Sequence, residues 1–472
     1  MQSSVNFVTR LRENGWLSRE TLLFATLPIL FPNFIYLAAY DFYSPPRLLF
    51  IVLLAMACLA GLLVNRYIFF VLLLSVVVLD ALVFTGYFFQ MPLMMIVDSV
   101  RYAGNLSAFL SVPYVAAVTV LICTFGLTYV TVRKLSPHRD RIRLVPFVAV
   151  LTIFCALDLR LNPIPEASAD EAGQVTGTYV PIKDAASIHS RLAQSLAQAK
   201  QPNMLVVVVE GLGALQSKEK QDLIFEPLLG DRVVARYSVE SGTTHYTGST
   251  TSGEIRELCN LKADYRDFRE RESEDCLPNQ AAKAGYRTVA FHAFTKHFFE
   301  RKDWYPKIGF QEMNFLENNA GLETEEPLRR CGSTFRGLCD VDVAKAVKAS
   351  LTNGADGPIF VYWLTLNSHK PVQVGEVPGR LSCDDGGVFE DRELCLMGEQ
   401  WLNVAHLVKD IALTEGLADT EILLVGDHNP PLTSRDGRAQ FQSGRVAWLH
   451  LKPKSKAQIV TVAPSASVPV KN

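Results

Sequence analysis

Four apolar, β-branched runs in this chain each end at a residue able to bind a metal or move a proton. Met204–Val209 runs directly into Glu210, and Arg287–Phe291 (R-T-V-A-F) into His292. Ile359–Leu364 (I-F-V-Y-W-L) leads into Thr365-Leu366-Asn367-Ser368-His369, and Glu421–Val425 (E-I-L-L-V) into Gly426-Asp427-His428. Carboxylates and imidazoles are hard or borderline ligands for a divalent cation. An adjacent Asp-His pair just after a buried strand is hard to explain by packing. A lone histidine in that place is more often a satisfied structural residue.

A fifth stretch supplies a hydroxyl. Gly248-Ser249-Thr250-Thr251-Ser252-Gly253-Glu254 is a run of small residues before Ile255 and Leu258 begin an apolar helical face. Thr251 with Glu254 three residues on has the spacing of a capping box, which predicts a helix start there. Thr250 would then stand beside free backbone N–H groups, where an anion is favoured. On this stretch alone the helix-cap role is the simpler one. Taken with the strand ends, a metal held by Glu210, Asp427 and His428 would also meet the Thr250 oxygen and lower its pKa, giving a nucleophile for phosphorus and a covalent phospho-threonine. Arg301, His292 and His369 are available to hold phosphate charge or to shuttle protons. Arg301 fits a plain surface charge equally well, and Thr251 is a neighbouring candidate for the nucleophile.

These residues need a scaffold. The strand-like runs alternate with helical stretches such as Val341–Leu351 and Trp401–Leu413. Continuous apolar strands of this kind are buried on both faces, which predicts an α/β domain with a mostly parallel sheet over residues 203–453, Val446–Leu451 adding a further strand near its end. Polar groups at the carboxyl ends of such strands line the usual ligand crevice.

The rest of the chain says where that domain sits. The 472 residues carry a net charge of −2, so no basic surface points to nucleic acid. Apolar residues crowd into the first third. Five runs approach the roughly 20 residues that cross a bilayer: 21–40, 46–65, 67–90, 107–132 and the shorter 144–159. The first is too long, and lacks the small-residue cleavage site, of a signal peptide. Arg10, Arg12 and Arg19 precede the first run, Arg66 lies between the second and third, and Arg133, Lys134, Arg139, Arg141 and Arg143 separate the fourth and fifth. The other two short loops hold Arg47 and Arg101, so the positive-inside rule puts the N-terminus in the cytoplasm and everything after about residue 160 outside. Asp80 falls inside the third run, where a helix-packing or near-interface role is expected. The expected domains are residues 1–160 in the membrane, 161–202 as a linker with a helix over 184–200, the α/β domain, and a loose tail over 454–472.

Of nine cysteines, three lie in the apolar runs. The other six fall into close-set couples, so Cys259–Cys276, Cys331–Cys339 and Cys383–Cys395 are the expected disulfides. Disulfides need an oxidising compartment, in agreement with the topology.

With this pattern assembled, the chain resembles the membrane-anchored phosphotransferases of the alkaline phosphatase/sulfatase superfamily, which include lipoteichoic acid synthase, the osmoregulated-glucan phosphoglycerol transferase and the phosphoethanolamine transferases. V-V-V-V-E at 206–210 matches the strand ending in a metal-ligand glutamate, and G-D-H at 426–428 the paired ligands. G-S-T-T-S-G-E at 248–254 is similar to the G-K-T-x-(D/S)-x-E nucleophile segment, which implicates Thr250. F-F-E-R at 298–301 resembles the F-W-x-R head-group segment, which implicates Phe299 and Arg301. L-T-L-N-S-H at 364–369 resembles the segment whose histidine, here His369, binds or protonates the transferred group. Ser249 stands where the family has Lys, Phe299 where it has Trp, and Asn429-Pro430-Pro431 follows the Asp-His pair, which leaves the donor head group open.

The resemblance implies a bacterial cytoplasmic-membrane protein, multi-pass, with a periplasmic catalytic domain. Its expected activity is metal-dependent transfer (Zn or Mn, or else Mg) of phosphoethanolamine or phosphoglycerol from a phospholipid donor to an envelope glycan or lipid acceptor. A metal-dependent phosphodiesterase, phosphatase or sulfatase-like hydrolase would use the same site. Formylglycine sulfatases require C-x-P-x-R; Cys276-Leu277-Pro278-Asn279-Gln280 lacks the arginine.

Overall fold

The computed structural model describes residues 19–38, 43–89, 91, 93–107, 109, 111–137, 142–162, 179–198, 201–271, 273–318, 328–353, 357–417 and 419–455. Arg10, Arg12, Arg139 and Arg141 lie outside the described residues, as do residues 163–178 of the expected linker and 456–472 of the expected tail. The chain divides into two compact units, one of residues 1–98 with 112–173, the other of residues 99–111 with 174–472.

The first unit is helical. Each expected apolar run overlaps a helix: α1 (Arg19–Ala38), α2 (Leu48–Gly61), α3 (Arg66–Phe89), α4 (Val112–Leu135) and α5 (Leu144–Leu161). Of these, α3, residues 114–135 of α4, and α5 are long and apolar enough to cross a membrane. The 14-residue α2 is shorter than the run that contains it, and α1 carries Pro28 and Pro32. Helix α4 begins at Val112 rather than at Ser107, because residues 99–111 belong to the second unit.

Asp80 takes the helix-packing role expected of it, with Arg47 as its partner. Arg47, in the loop just before α2, is fully buried, and its Nη1 donates to Asp80 Oδ1 at 2.7 Å while Nη2 pairs with Oδ2. Its Nε donates to Asn33 Oδ1 (2.9 Å) and its backbone N–H to Asp158 Oδ2 (2.8 Å). One cation thus joins α1, α2, α3 and α5, and the carboxylate of Asp80 is a partner in that node, not a lone charge. An ionised group inside an apolar unit persists only when paired in this way.

The second unit is built on an eight-stranded sheet of β1 (Asn203–Val209), β2 (Gly213–Leu215), β3 (Tyr237–His245), β4 (Arg287–His292), β5 (Glu312–Asn314), β6 (Ile359–Leu364), β7 (Thr420–Gly426) and β8 (Phe441–Pro453). Its order is β2-β8-β7-β1-β6-β4-β5, with β3 also paired to β8. The five strands β7, β1, β6, β4 and β5 run parallel, whereas β8 is antiparallel to its neighbours. Every residue of β6 and β7 is buried, as a parallel strand covered on both faces requires. Leu205, Val207 and Val209 share a core with Ile224 and Leu228 of α6 (Lys218–Leu229), Val347 of α8 (Asp340–Thr352), and Trp401 and Val408 of α9 (Arg392–Ala412). Each such aliphatic side chain contributes about 1.5–3 kcal/mol on burial. The helix α7 (Thr250–Cys259) carries the hydroxyl run.

The expected helix over 184–200 is two short pieces, Ala186–His189 and Leu192–Leu196, broken where Arg191 takes a left-handed conformation (φ 57°). The three expected disulfides are all formed.

Candidate active site

Parallel strands bring their carboxyl ends to one edge, and here β7, β1, β6 and β4 are consecutive in the sheet. Glu210 follows β1, Asp427 and His428 follow β7, His369 lies in the turn after β6, and His292 is the last residue of β4. Residues up to 218 apart in sequence therefore meet because the sheet order places their strands side by side.

Glu210, Asp427 and His428 each offer a ligand atom, and those atoms all lie within 4.8 Å of one another. His428 Nε2 is 3.4 Å from Glu210 Oε1 and 3.3 Å from Asp427 Oδ2. Its Nδ1 is 2.9 Å from the Asn429 carbonyl oxygen, which can only accept, so Nδ1 carries the hydrogen and Nε2 turns a lone pair toward the carboxylates. Asp427 Oδ1 is used up by the Gly211 and His428 backbone N–H groups (2.7 and 2.8 Å). Asp427 Oδ2 is buried and has no hydrogen-bond donor. An unpaired carboxylate oxygen of this kind calls for a cation, so two carboxylates and an available imidazole nitrogen fit a divalent ion. Burial, and then the charge of Glu210, raise the Asp427 carboxyl to about 6. Burial pulls the His428 imidazole down, but the two carboxylates outweigh it and raise it.

Thr250 is the first residue of α7, and Ser249 precedes it in extended conformation. Thr250 Oγ1 donates to Glu210 Oε2 at 3.2 Å and lies 3.4 Å from His428 Nε2. The hydroxyl thus shares the locus of the three ligands, with the N-terminus of α7 behind it. Close approach of α7 to β7 needs a glycine, since a Cβ on Gly253 would lie 2.8 Å from the Asp427 Cβ. Arg256 fastens the two from inside α7, its Nη1 and Nη2 donating to the carbonyls of Asp427 (3.0 Å) and Gly426 (2.6 Å). Ser368 Oγ and Trp401 Nε1 hold the Glu210 carbonyl at 2.7 and 3.1 Å.

The expected capping box is not formed. Thr251 is a buried residue inside the helix, and Glu254 does not turn back toward it. The fully buried Glu254 carboxylate instead accepts from Arg301 Nη2 (2.8 Å) and Nε (3.2 Å), from Tyr362 OH (3.1 Å) and from Tyr305 OH. This explains Arg301. It is a buried ion-pair partner, 2% exposed, whose Nη1 meets the Phe298 carbonyl at 3.3 Å, and not a plain surface charge. Burial works against its charge, and Glu254 more than offsets this.

His369 Nε2 lies 4.0 Å from Glu210 Oε1, and its Nδ1 donates to the Lys370 carbonyl (2.8 Å). Burial drops its pKa to about 4, so it is neutral at neutral pH. His292 is buried, with Nδ1 on the Leu364 carbonyl (3.2 Å), and is held well below its ordinary value by burial and then by the charge of Arg301. Phe299 is 8% exposed and packs beneath the Arg301 guanidinium, 5.7 Å from its ring centroid. Of these four, His369 stands beside the carboxylate cluster, while Arg301 is tied to α7 through Glu254 and stacks on Phe299.

Several supports had no local sequence signal. Asp340, at the start of α8, accepts the backbone N–H groups of Leu366 (3.1 Å) and Asn367 (2.8 Å), and Asn367 Oδ1 accepts the Asp340 N–H (2.6 Å), fixing the turn that carries His369. Asn367 is therefore structural. Lys370 Nζ pairs with Glu393 and donates to the Pro431 carbonyl (2.7 Å), tying that turn to the one after His428.

Comparison with known proteins agrees with this architecture. The sequence profile described as Sulfatase matches residues 202–451. The chain belongs to the sulfatase family. No curated protein matches it by sequence. Among solved structures, the sulfatase-family chain is similar to the lipoteichoic acid synthase LtaP from Listeria monocytogenes at 13% identity and a TM-score of 0.40, covering 55% of this chain and 67% of that one. It is similar to the Streptococcus pyogenes phosphoglycerol transferase GacH in complex with sn-glycerol-1-phosphate at 13% identity and a TM-score of 0.39, covering 58% and 77%. It is also similar to the C-terminal periplasmic domain of EcEptC from Escherichia coli in complex with Zn, at 13% identity and a TM-score of 0.33, covering 61% and 80%.

Proposed function

We propose that this protein transfers a phosphate-bearing head group, phosphoethanolamine or phosphoglycerol, from a membrane phospholipid to an envelope glycan or lipid acceptor through a phospho-threonine at Thr250. The observation that carries the reading is the Thr250 hydroxyl at a helix N-terminus, 3.2 Å from Glu210 and 3.4 Å from His428, inside a ligand set able to hold a divalent cation.

Glu210, Asp427 and His428 would hold the ion, which would lower the hydroxyl pKa and offset phosphoryl charge. Thr250 Oγ1 attacks phosphorus, and its proton passes to Glu210 Oε2, already its hydrogen-bond acceptor. The bond from phosphorus to the diacylglycerol oxygen breaks, and that oxygen leaves with the proton that Glu210 has taken. Backbone N–H groups at the start of α7 face the phosphoryl oxygens, and Arg301 adds positive charge. In the second half an acceptor hydroxyl attacks phosphorus, the bond from phosphorus to Thr250 Oγ1 breaks, and Oγ1 regains a proton as the acceptor gives one up. His369, neutral at neutral pH with Nδ1 already hydrogen-bonded, suits taking the acceptor's proton on Nε2.

The wider reading is five membrane spans over residues 1–160, a cytoplasmic N-terminus, a linker over 161–202, a periplasmic catalytic domain over 203–453 and a tail over 454–472. The apolar helices and three disulfides support it. A formylglycine route has no residue to use, since Cys276 is bonded to Cys259.

The test is intact-protein mass spectrometry after incubation with phosphatidylethanolamine or phosphatidylglycerol. A head-group mass on Thr250, lost in Thr250→Ala together with transfer, is expected. Full transfer by Thr250→Ala would refute the mechanism. Release of free head group without any acceptor would assign a hydrolase.

A further inference from the structure

Residues 99–107 lie in sequence between two long apolar helices, yet fold as part of the sulfatase domain. Val100–Asn105 is a short 3-10 turn whose Tyr102 is 6% exposed. The Tyr102 ring packs against Phe298 and Phe299, with centroids 5.4 and 5.5 Å apart, and its hydroxyl lies 3.2 Å from that of Tyr265. Tyr265 meets Phe299 from another side at 5.8 Å. Leu106 packs on the domain core, and Ser107 N–H donates to the Thr334 carbonyl (2.8 Å).

What this turn presses on is unusual. Phe299 and Glu300 both take left-handed backbone conformations (φ 52° each), a costly state for two consecutive residues with side chains. Such a pair persists only when its surroundings over-determine it. It immediately precedes Arg301 and sets where that side chain starts. Trp304 Nε1 holds the Phe299 carbonyl from within the domain (3.0 Å). The opposing hold comes from Tyr102 and Tyr265.

We propose that Tyr102 is a positioning residue for the head-group site: by packing on Phe299 it keeps the left-handed pair in place and so aims Arg301 and the Phe299 ring. The proposal rests on the head-group reading given above. The ion pair of Arg101 with Glu300 (3.1 Å) is a weaker hold, because its side chains are 42% and 20% exposed and such pairs contribute little.

The experiment uses the full-length protein in detergent, with hydrogen exchange and steady-state kinetics on phosphatidylethanolamine and phosphatidylglycerol. Tyr102→Ala is expected to speed amide exchange at 299–302 roughly tenfold, the scale of two lost aromatic contacts. It should raise KM for the donor by about the same factor and leave kcat within about twofold. Tyr102→Phe, which keeps the ring, should restore both, and Arg101→Ala should move neither by more than about twofold. Binding of Mn²⁺ should be unchanged in all three, which excludes general unfolding. Unchanged exchange at 299–302 in Tyr102→Ala overturns the proposal, and faster exchange with unchanged KM overturns its link to the donor. If the wild-type protein turns over neither lipid while exchange responds as expected, the head-group reading fails and the hold on Phe299 stands.

Discussion

Replacing Glu254 with Gln isolates the part of the site that its motif spacing disguised. The carboxylate is fully buried and is the counter-charge to Arg301, itself 2% exposed. Glutamine fills the same space and can still accept from Tyr305 and Tyr362, so no cavity opens. What disappears is the negative charge, leaving a buried guanidinium unpaired. Removing one partner of a buried pair costs about 3–5 kcal/mol, against 0–1 for an exposed one. For a domain of this size that is on the order of 10 °C in Tm. The double variant Glu254→Gln/Arg301→Met removes both charges, and its loss should be much smaller than the sum of the singles. The assay is thermal unfolding of wild type, both singles and the double, closed as a cycle, with head-group transfer measured on each. Glu254→Gln should lose transfer along with stability because Arg301 loses its fixed direction, whereas the double should regain stability without regaining transfer. A Glu254→Gln variant within about 1 kcal/mol of wild type would refute the buried ion pair as the organising contact.

Other outcomes follow from the same contacts. A divalent cation at about a hundred times its Kd should stabilise the domain by about 2.7 kcal/mol, a chelator should reverse this, and Asp427→Asn should abolish the response in a thermal-shift titration. Burial raises the Asp340 carboxyl to about 7, opposed by the Asn367 and Leu366 N–H groups. The native state therefore keeps a proton that the unfolded chain has lost between about pH 4 and 7, and this contribution to stability falls as pH rises through that window. Asp340→Asn should flatten that part of the stability profile, a difference on the order of a few kcal/mol by chemical unfolding. In the helical unit, Arg47→Ala should lower the detergent melting temperature sharply by stranding Asp80, and adding Asp80→Asn should recover part of the loss.

The parallel strands were legible because burial on both faces leaves an uninterrupted apolar run: β1, β4, β6 and β7 lie within a residue of their expected bounds, and their carboxyl ends point to Glu210, His292, His369 and Asp427. Strands without that signature were missed. Tyr237–His245 is a polar, part-exposed edge, and Gly213–Leu215 and Glu312–Asn314 span three residues each. In the apolar first third, hydropathy located the helices but could not show that residues 99–111 leave that unit, since a loop's partner is set by long-range packing of Tyr102 and Leu106. Arg47 does lie in the loop before α2, but counting charges in loops cannot tell a solvated arginine from one paired with Asp80.

Glu254 shows most clearly where sequence reasoning stops. Its distance from Thr251 satisfies a capping box, a local pattern with a sound physical basis. A capping glutamate, however, must turn toward the first turn of its helix, at the domain surface. Here the residues that claim it, Arg301, Tyr305 and Tyr362, come from segments 47 to 108 positions away and reach it in the interior. A buried guanidinium binds a carboxylate more strongly than one backbone N–H does, so the tertiary partner wins. The same contact ties the helix that presents Thr250 to the segment that presents Arg301, so the proposed nucleophile and the charge proposed to meet its substrate are positioned by one side chain.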